Sequence, residues 1–338
     1  MQALVFDLGG THLRCGVADA SALRHVTKVR IDNFLGGHPP REIARRLVAR
    51  MKAYEASVRA GLSPVAPIVV SFPGPVAERR RTLDAPTLFG RAPDPPDLAA
   101  DLRRHSLRDV VVLNDLSAAA WRLSATYGVH RFLVVAISSG IGSKIFDARH
   151  PDGVLDDPPH AGEIGHTTVS WAPDAPRCDC GGMGHLGAIA SGRGLERLAR
   201  QRAAIEPAAF GESLCVTRFG ARAETLTNED HLVPAAIAGD RWSLAVVRDG
   251  TRPLARTLAT VVLAAGVTRV VVTGGFASAL GDVYVTLLRE LLRDACDYRL
   301  MPCPTADLVQ LADPGEEVCL EGAAAYARHL HCARRVAS

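Results

Sequence analysis

Cys178 and Cys180 stand one residue apart, a glycine-rich turn and His185 follow them, and His166 lies twelve residues upstream of Cys178. Thiols and imidazoles at such spacing suit the tetrahedral nitrogen–sulfur shell of structural zinc. Cys178 and Cys180 supply two ligands, and His166 or His185 can complete the set. The segment around His166, "GEIGH", also carries Glu163, three residues before the histidine. A second pair, Asn114-Asp115, sits where the apolar run "VVVL" gives way to a helix-forming stretch. Aspartate is a good helix N-cap. The same carboxylate can take the proton of an attacking alcohol, help typically worth ~10²–10⁴ in the rate of phosphoryl transfer. Asn114 adds a neutral donor and acceptor suited to a hydroxyl.

Glycine turns supply the rest of the chemistry. "DLGGTH", "SSGIGS" and "TGGFAS" each follow an apolar strand directly. Phosphate binds where backbone N–H groups crowd together with no side chains in the way, which glycine at a strand end permits. Three such turns, one with an acidic residue, point to a nucleotide cleft. Asp7 would bear on Mg²⁺ through water, since a hard cation favours carboxylate and keeps several waters. Thr11 and Arg14 are placed to reach phosphate oxygens. A Walker loop would run into a helix through Gly-Lys-Ser/Thr, and that signature is missing here.

The elements that must hold these residues follow from periodicity. After the first turn, Leu13, Cys15 and Val17 alternate with Arg14 and Gly16, so Asp7 to Thr11 tip a β-hairpin. "HVTKVRID" reads as a third strand. Ile43, Leu47, Met51, Tyr54 and Val58 share one helical face between Pro40 and Gly61. "PIVVSFPGPV" is a buried strand entering a Pro-Gly turn, and "LDAPTLFGRAPDPPD" is too broken for regular structure. "RFLVVAISSGIGSKIFDA" repeats the opening plan of strand, glycine turn and strand, which implies duplicated architecture. Helices dominate to about residue 265 with an irregular stretch near 206–232. A strand then enters the Gly274-Gly275 turn, a helix runs through Leu292, and a last helix spans roughly 320–331.

Bulk properties narrow the class. A chain of 338 residues suggests two domains at ~150 residues each. A net charge of +3, with the arginines of "REIARRLVAR" on the polar side of a helix, reads as a solvated face and not a nucleic-acid footprint. No apolar run reaches the ~20 residues of a membrane span. The start "MQALVFDLGGTH" does not read as a signal peptide, so the eight cysteines are expected to be reduced thiols in a cytoplasmic protein.

Taken in order, "DLGGTH", "LND", "SSGIG", "GEIGH", "CDCGG" and "VVVTGG" resemble the ROK family of sugar kinases and repressors, over residues 3 to 325. The resemblance implies an α/β, actin-like ATPase (ribonuclease H-like) fold: two α/β domains flanking a nucleotide and sugar cleft. The expected division is a smaller domain of residues 1–116 plus about 313–338 and a larger one of 117–312 with the zinc-binding loop. It implies Asp115 as the general base, with Gly74, Asn114, Asp115, Glu163 and His166 holding the substrate. Gly9, Gly10, Thr11, Ser139, Gly140 and Gly142 would face the phosphates, and Gly274 and Gly275 the adenosine. His166, Cys178, Cys180 and His185 would hold zinc, with His185 in place of the family's third cysteine. That zinc would brace the loop presenting Glu163 and His166.

The departures fall on the far end of the sugar. Gly187 stands where many hexose kinases of this type carry a glutamate, the family's Ala-Pro-Asn reads Ala85-Pro86-Thr87, and Lys144 replaces a small residue. A buried polar group needs a partner, so a lost acceptor implies a substrate lacking a donor there. The expectation is an ATP-dependent kinase, with Mg²⁺ and structural Zn²⁺, that phosphorylates the primary hydroxyl of a glucose-like hexose or an aminosugar such as kanosamine. The alternatives are a C7-cyclitol kinase of secondary metabolism or a non-catalytic sugar-binding regulator. Repressors of the family place a helix-turn-helix before the first glycine motif; with Asp7 so near the start, and Asp115 retained, catalysis is expected. The resemblance further implies a homodimer.

Overall fold

The structure, a computed structural model, describes residues 2–296, 298, 308–312, 315 and 317–337. The chain forms two compact units. The first comprises Met1–Gly128, Ala148–Ala161 and Pro314–Ser338, the second Val129–Asp147 and Gly162–Asp313.

In the first unit, β1 (Gln2–Leu8) and β2 (His12–Asp19) form the expected hairpin, and β3 (Leu23–Arg30) extends it. On the other side of β1 lie β4 (Ile68–Phe72) and then β7 (Val110–Asn114), both parallel, giving the order β3-β2-β1-β4-β7. Two short strands, β5 (Val76–Ala77) and β6 (Arg81–Thr82), pair separately. Alternation decides the two faces of the sheet. Leu4, Phe6 and Leu8 meet Ile43, Leu47 and Met51 of the helix Pro40–Val58, together with Leu98 and Leu102 of the helix Leu98–His105. Ala3 and Val5 point the other way, onto Leu320, Ala323, Ala324 and Ala327 of the helix Val318–Ala337. That helix also lies on the helix Asp115–Tyr127, so close that a Cβ on Gly322 would stand 1.8 Å from the Ala118 carbonyl oxygen.

In the second unit, β8 (Arg131–Ile137) and β9 (Ile141–Asp147) form the second hairpin. β10 (Val270–Thr273) runs parallel to β8, and β11 (Val309–Leu311) parallel to β10. The order β9-β8-β10-β11 repeats β2-β1-β4-β7 strand for strand, so the duplicated plan read from the glycine turns holds at the level of topology. Leu133, Val135 and Ile137 of β8 and Val270 and Val272 of β10 pack on the helices Gly192–Ile205, Arg241–Ala265 and Asp282–Ala295.

Several details differ from expectation. The proline-rich stretch forms one helical turn, Pro86–Phe89, with proline at the first position where its missing N–H costs nothing. The helix Leu98–His105 was not anticipated; Asp97 starts it by accepting the Ala99 and Ala100 N–H groups. The stretch near 206–232 holds short helices at Pro207–Glu212 and Leu214–Thr217 and a π-helical turn at Asn228–Leu232. Residues 117–128 and 148–161 belong to the first unit, whereas the expected boundary put them in the second. The first of these segments is held by the helix Val318–Ala337. The second is pinned by Arg79, whose guanidinium pairs with Asp152 at 2.6 Å and also with Asp156.

Candidate active site

The first unit brings Asp7 and Arg14 together, because hairpin register sets them opposite one another on β1 and β2. Arg14 Nη1 donates to Asp7 Oδ2 at 3.1 Å, and Asp7 is 6% exposed. Burial pushes the Asp7 pKa up, against the opposing pull of Ser71 and Arg14. At the hairpin tip the Gly9 N–H donates to the His12 carbonyl at 2.9 Å, and Asn33 Nδ2 donates to the Gly10 carbonyl at 2.8 Å. Thr87 packs against Gly10, where a Cβ would come 3.3 Å from its Cβ. Thr11 is exposed at the same tip.

A second cluster of the first unit gathers at the end of β7. Asn114, not Asp115, is the residue that precedes the helix and caps it, its Oδ1 accepting the Leu116 N–H at 3.0 Å. Its Nδ2 donates to the Gly74 carbonyl at 3.0 Å. Gly74 is required there, since a Cβ would stand 1.9 Å from the Asp84 carbonyl oxygen. Asp115 occupies the first helical position, half-buried, with Oδ1 accepting the Leu116 N–H at 2.8 Å. A carboxylate at a helix N-terminus is favoured by the helix dipole. Cys319 Sγ donates to the Asp115 carbonyl at 3.5 Å. Burial, reinforced by Asp7 and Asp115, drives its thiol pKa well upward. Nothing in the sequence marked this cysteine; only the return of the last helix brings it there.

The second unit builds "GEIGH" against an edge of its sheet. Ser143 N–H and Oγ both donate to the Gly162 carbonyl, at 3.1 and 2.8 Å. A Cβ on Gly162 would lie 2.0 Å from the Ser143 carbonyl oxygen, and one on Gly165 would lie 2.1 Å from that of Ile141. The two glycines therefore let the segment lie flat on β9, with Glu163 between them. Gly187 abuts the same segment, where a Cβ would stand 3.1 Å from the Gly165 carbonyl oxygen.

The residues proposed for zinc converge. The ligand atoms of His166, Cys178, Cys180 and His185 all lie within 4.8 Å of one another. Cys178 Sγ is 3.7 Å from His166 Nδ1, and Cys180 Sγ is 3.3 Å from His185 Nδ1. Ligands bound tetrahedrally at about 2.0–2.3 Å sit roughly 3.3–3.8 Å apart, so this donor set fits zinc in chemistry and in spacing.

The glycine turns of the second unit carry an arginine that sequence reading missed. Ser138, Ser139 and Gly140 make the tight turn between β8 and β9, while Gly142 lies within β9 opposite Ala136. Arg193 Nε donates to the Ser139 carbonyl at 2.7 Å, and its Nη2 donates to Asp179 Oδ2 at 2.6 Å. One exposed side chain thus ties the turn to the residue between the two cysteines. Gly274 has φ +100° and starts the short helix Gly275–Leu280, and a Cβ on it would stand 2.5 Å from the Ile137 carbonyl oxygen.

The repeated hairpin-and-parallel-strand plan, with glycine turns closing the hairpins, is that of the actin-like ATPase fold, and the relatives of the chain place it in the class of ATP-dependent carbohydrate kinases. Residues 3–329 match the model of the ROK family, and the chain belongs to that family. It is 39% identical over 326 residues to a C(7)-cyclitol 7-kinase of Streptomyces hygroscopicus subsp. jinggangensis, covering 94% of this chain and 92% of that one. It is 30% identical over 307 residues to a 2-epi-5-epi-valiolone 7-kinase of Actinoplanes, covering 86% and 81%. The solved ROK hexokinase of Thermus thermophilus superposes with a TM-score of 0.73 at 27% identity, over 98% of this chain and 99% of that one. Among the described residues, no helix is long and apolar enough to cross a membrane.

Proposed function

We propose that the protein transfers the γ-phosphoryl group of ATP to the exocyclic primary hydroxyl of a C7 cyclitol. The observation that carries this choice is the 39% identity, over nearly the full length of both chains, to a C(7)-cyclitol 7-kinase. It moves the cyclitol ahead of the hexose or aminosugar that the sequence alone favoured. Gly187 and Thr87 agree with it, since both alter the contacts at the far end of the ring while the reacting end keeps its groups.

In this reading Asp115 accepts the proton of the attacking hydroxyl as the new P–O bond forms and the bond from the γ-phosphorus to the bridging oxygen breaks, ADP leaving. Asn114 caps the helix and shares the Leu116 N–H with Asp115, and Asn114, Gly74, Glu163 and His166 orient the ring. His166 turns Nδ1 toward Cys178, which leaves Nε2 for a hydroxyl. Zinc, held by His166, Cys178, Cys180 and His185, would supply a structural cross-link between these segments. Gly9, Gly10, Thr11, Arg14, Ser139, Gly140 and Gly142 serve the phosphates, and Gly274 and Gly275 the adenosine. Asp7, buried and engaged by Arg14, would help to hold Mg²⁺, which would offset the charge of the phosphates.

A coupled ADP-release screen against C7 cyclitols, glucose and kanosamine tests the assignment. A cyclitol should give the highest kcat/KM. A hexose or aminosugar ahead of every cyclitol refutes the acceptor, and no ADP release with any of them refutes the enzyme. Asp115→Asn should bind acceptor normally by calorimetry and lose at least ~10² in kcat; an active Asn variant removes Asp115 as the base.

A further inference from the structure

Lys144 is a buried cation that the roles above leave unused. It sits on β9 at 4% exposure, where an unpaired ammonium is costly and a carboxylate partner offsets that cost. Its Nζ stands 3.9 Å from Oε1 of Glu163, which is itself one-third exposed. The backbone enforces this meeting. The glycine on each side of the Glu163-Ile164 pair presses the segment onto β9, and the lysine stem is part of the floor: a Cβ on Gly162 would stand 3.2 Å from Lys144 Cδ. A buried cation therefore lies under an accessible carboxylate, on a strand and not on a mobile loop.

We propose that Lys144 is a positioning residue that fixes the Glu163 carboxylate, its ammonium holding Oε1 while Oε2 remains for a ring hydroxyl of the acceptor. This rests on the assignment of Glu163 to the acceptor site. A long side chain such as glutamate loses rotamer freedom whenever it binds, and an ion pair that restrains it beforehand leaves less to lose on binding. The pair also defines a chemical preference. A carboxylate tethered through one oxygen offers the other as an acceptor, so it selects a hydroxyl over a ring carbonyl or ether oxygen at that position.

Steady-state kinetics with the C7 cyclitol that gives the highest kcat/KM in the screen tests this. Lys144→Met should raise the acceptor KM about tenfold, with kcat falling much less and the KM for ATP staying within about twofold. Lys144→Arg, which keeps the charge, should recover most of the loss. In a Glu163→Gln background, Lys144→Met should add less than about twofold, because the two residues act as one unit. Glu163→Gln alone separates the two levels of inference. If it leaves the acceptor KM unchanged, Glu163 is not in the acceptor site and the underlying assignment falls. If it raises KM while Lys144→Met does not, or if the two effects multiply, only the role of Lys144 is overturned. Should Lys144→Met not fold, as judged by circular dichroism, Lys144→Gln against Lys144→Arg makes the same comparison, and equal KM values for those two overturn it.

Discussion

Replacing Gly165 by alanine would test whether the glycines of "GEIGH" set the geometry of the site. The new Cβ would start 2.1 Å from the Ile141 carbonyl oxygen, whereas a carbon and a carbonyl oxygen rest about 3.3 Å apart or more. The segment must therefore lift off β9 by about 1 Å, carrying Glu163 and His166 with it. Misplacement of that size costs ~10²-fold in rate, and the overpacking costs about 1–3 kcal/mol, lowering Tm by several degrees. The assays are kcat/KM from coupled ADP release, zinc content of the purified protein, and thermal unfolding. Gly128→Ala is the control. It caps the helix Asp115–Tyr127 at φ +58° with nothing within 4 Å of its Cβ, so it should cost stability of about 1 kcal/mol and leave kcat/KM alone. A Gly165→Ala protein with wild-type kcat/KM and wild-type zinc would refute the claim that close backbone contact places these side chains.

Three further outcomes are expected. Purified protein should contain about one zinc per chain, lost in the Cys178→Ser, Cys180→Ser double variant, and a chelator should lower Tm; a metal-free wild type contradicts the brace. Arg79→Ala should destabilise the first unit by about 1–3 kcal/mol in urea unfolding, since it leaves the half-buried Asp156 carboxylate with Ser117 Oγ but no cation, and a change below about 0.5 kcal/mol would mean the pair contributes little. At pH 8, iodoacetamide should label exposed Cys332 quickly and Cys15 hardly at all. Burial pushes the Cys15 thiol up to about 11, leaving only ~10⁻³ of it as thiolate; comparable labelling by mass spectrometry would show that the first unit opens readily.

Local pattern carried much of this structure. Period-two alternation after the first glycine turn gave one hairpin and the repeated strand–turn–strand plan the other, while the two cysteines, with the histidines that the family resemblance added, anticipated a cluster that the fold assembles. What escaped depended on contacts distant in sequence. The helix Leu98–His105 is short, follows a proline-rich loop, and starts on Asp97, whose Oδ1 also accepts from Thr82 N and Oγ1 on β6. The swap of capping role from Asp115 to Asn114 turns on one backbone angle at the strand end, which residue type alone does not decide. Cys319 and Arg193 gain their places only when a remote helix returns or starts beside the site. Lys144 was visible as an unusual residue, but its partner became known only once the glycines brought Glu163 onto the same strand.

The helix Val318–Ala337 covers the face of the first sheet formed by Ala3, Val5 and Val69, and it seats Gly322 against the start of the helix that begins with Asp115. Closing that apolar side therefore depends on contacts between residues as far apart in the sequence as Val5 and Leu320, so the first sheet completes its core only through very non-local packing, a feature that slows folding.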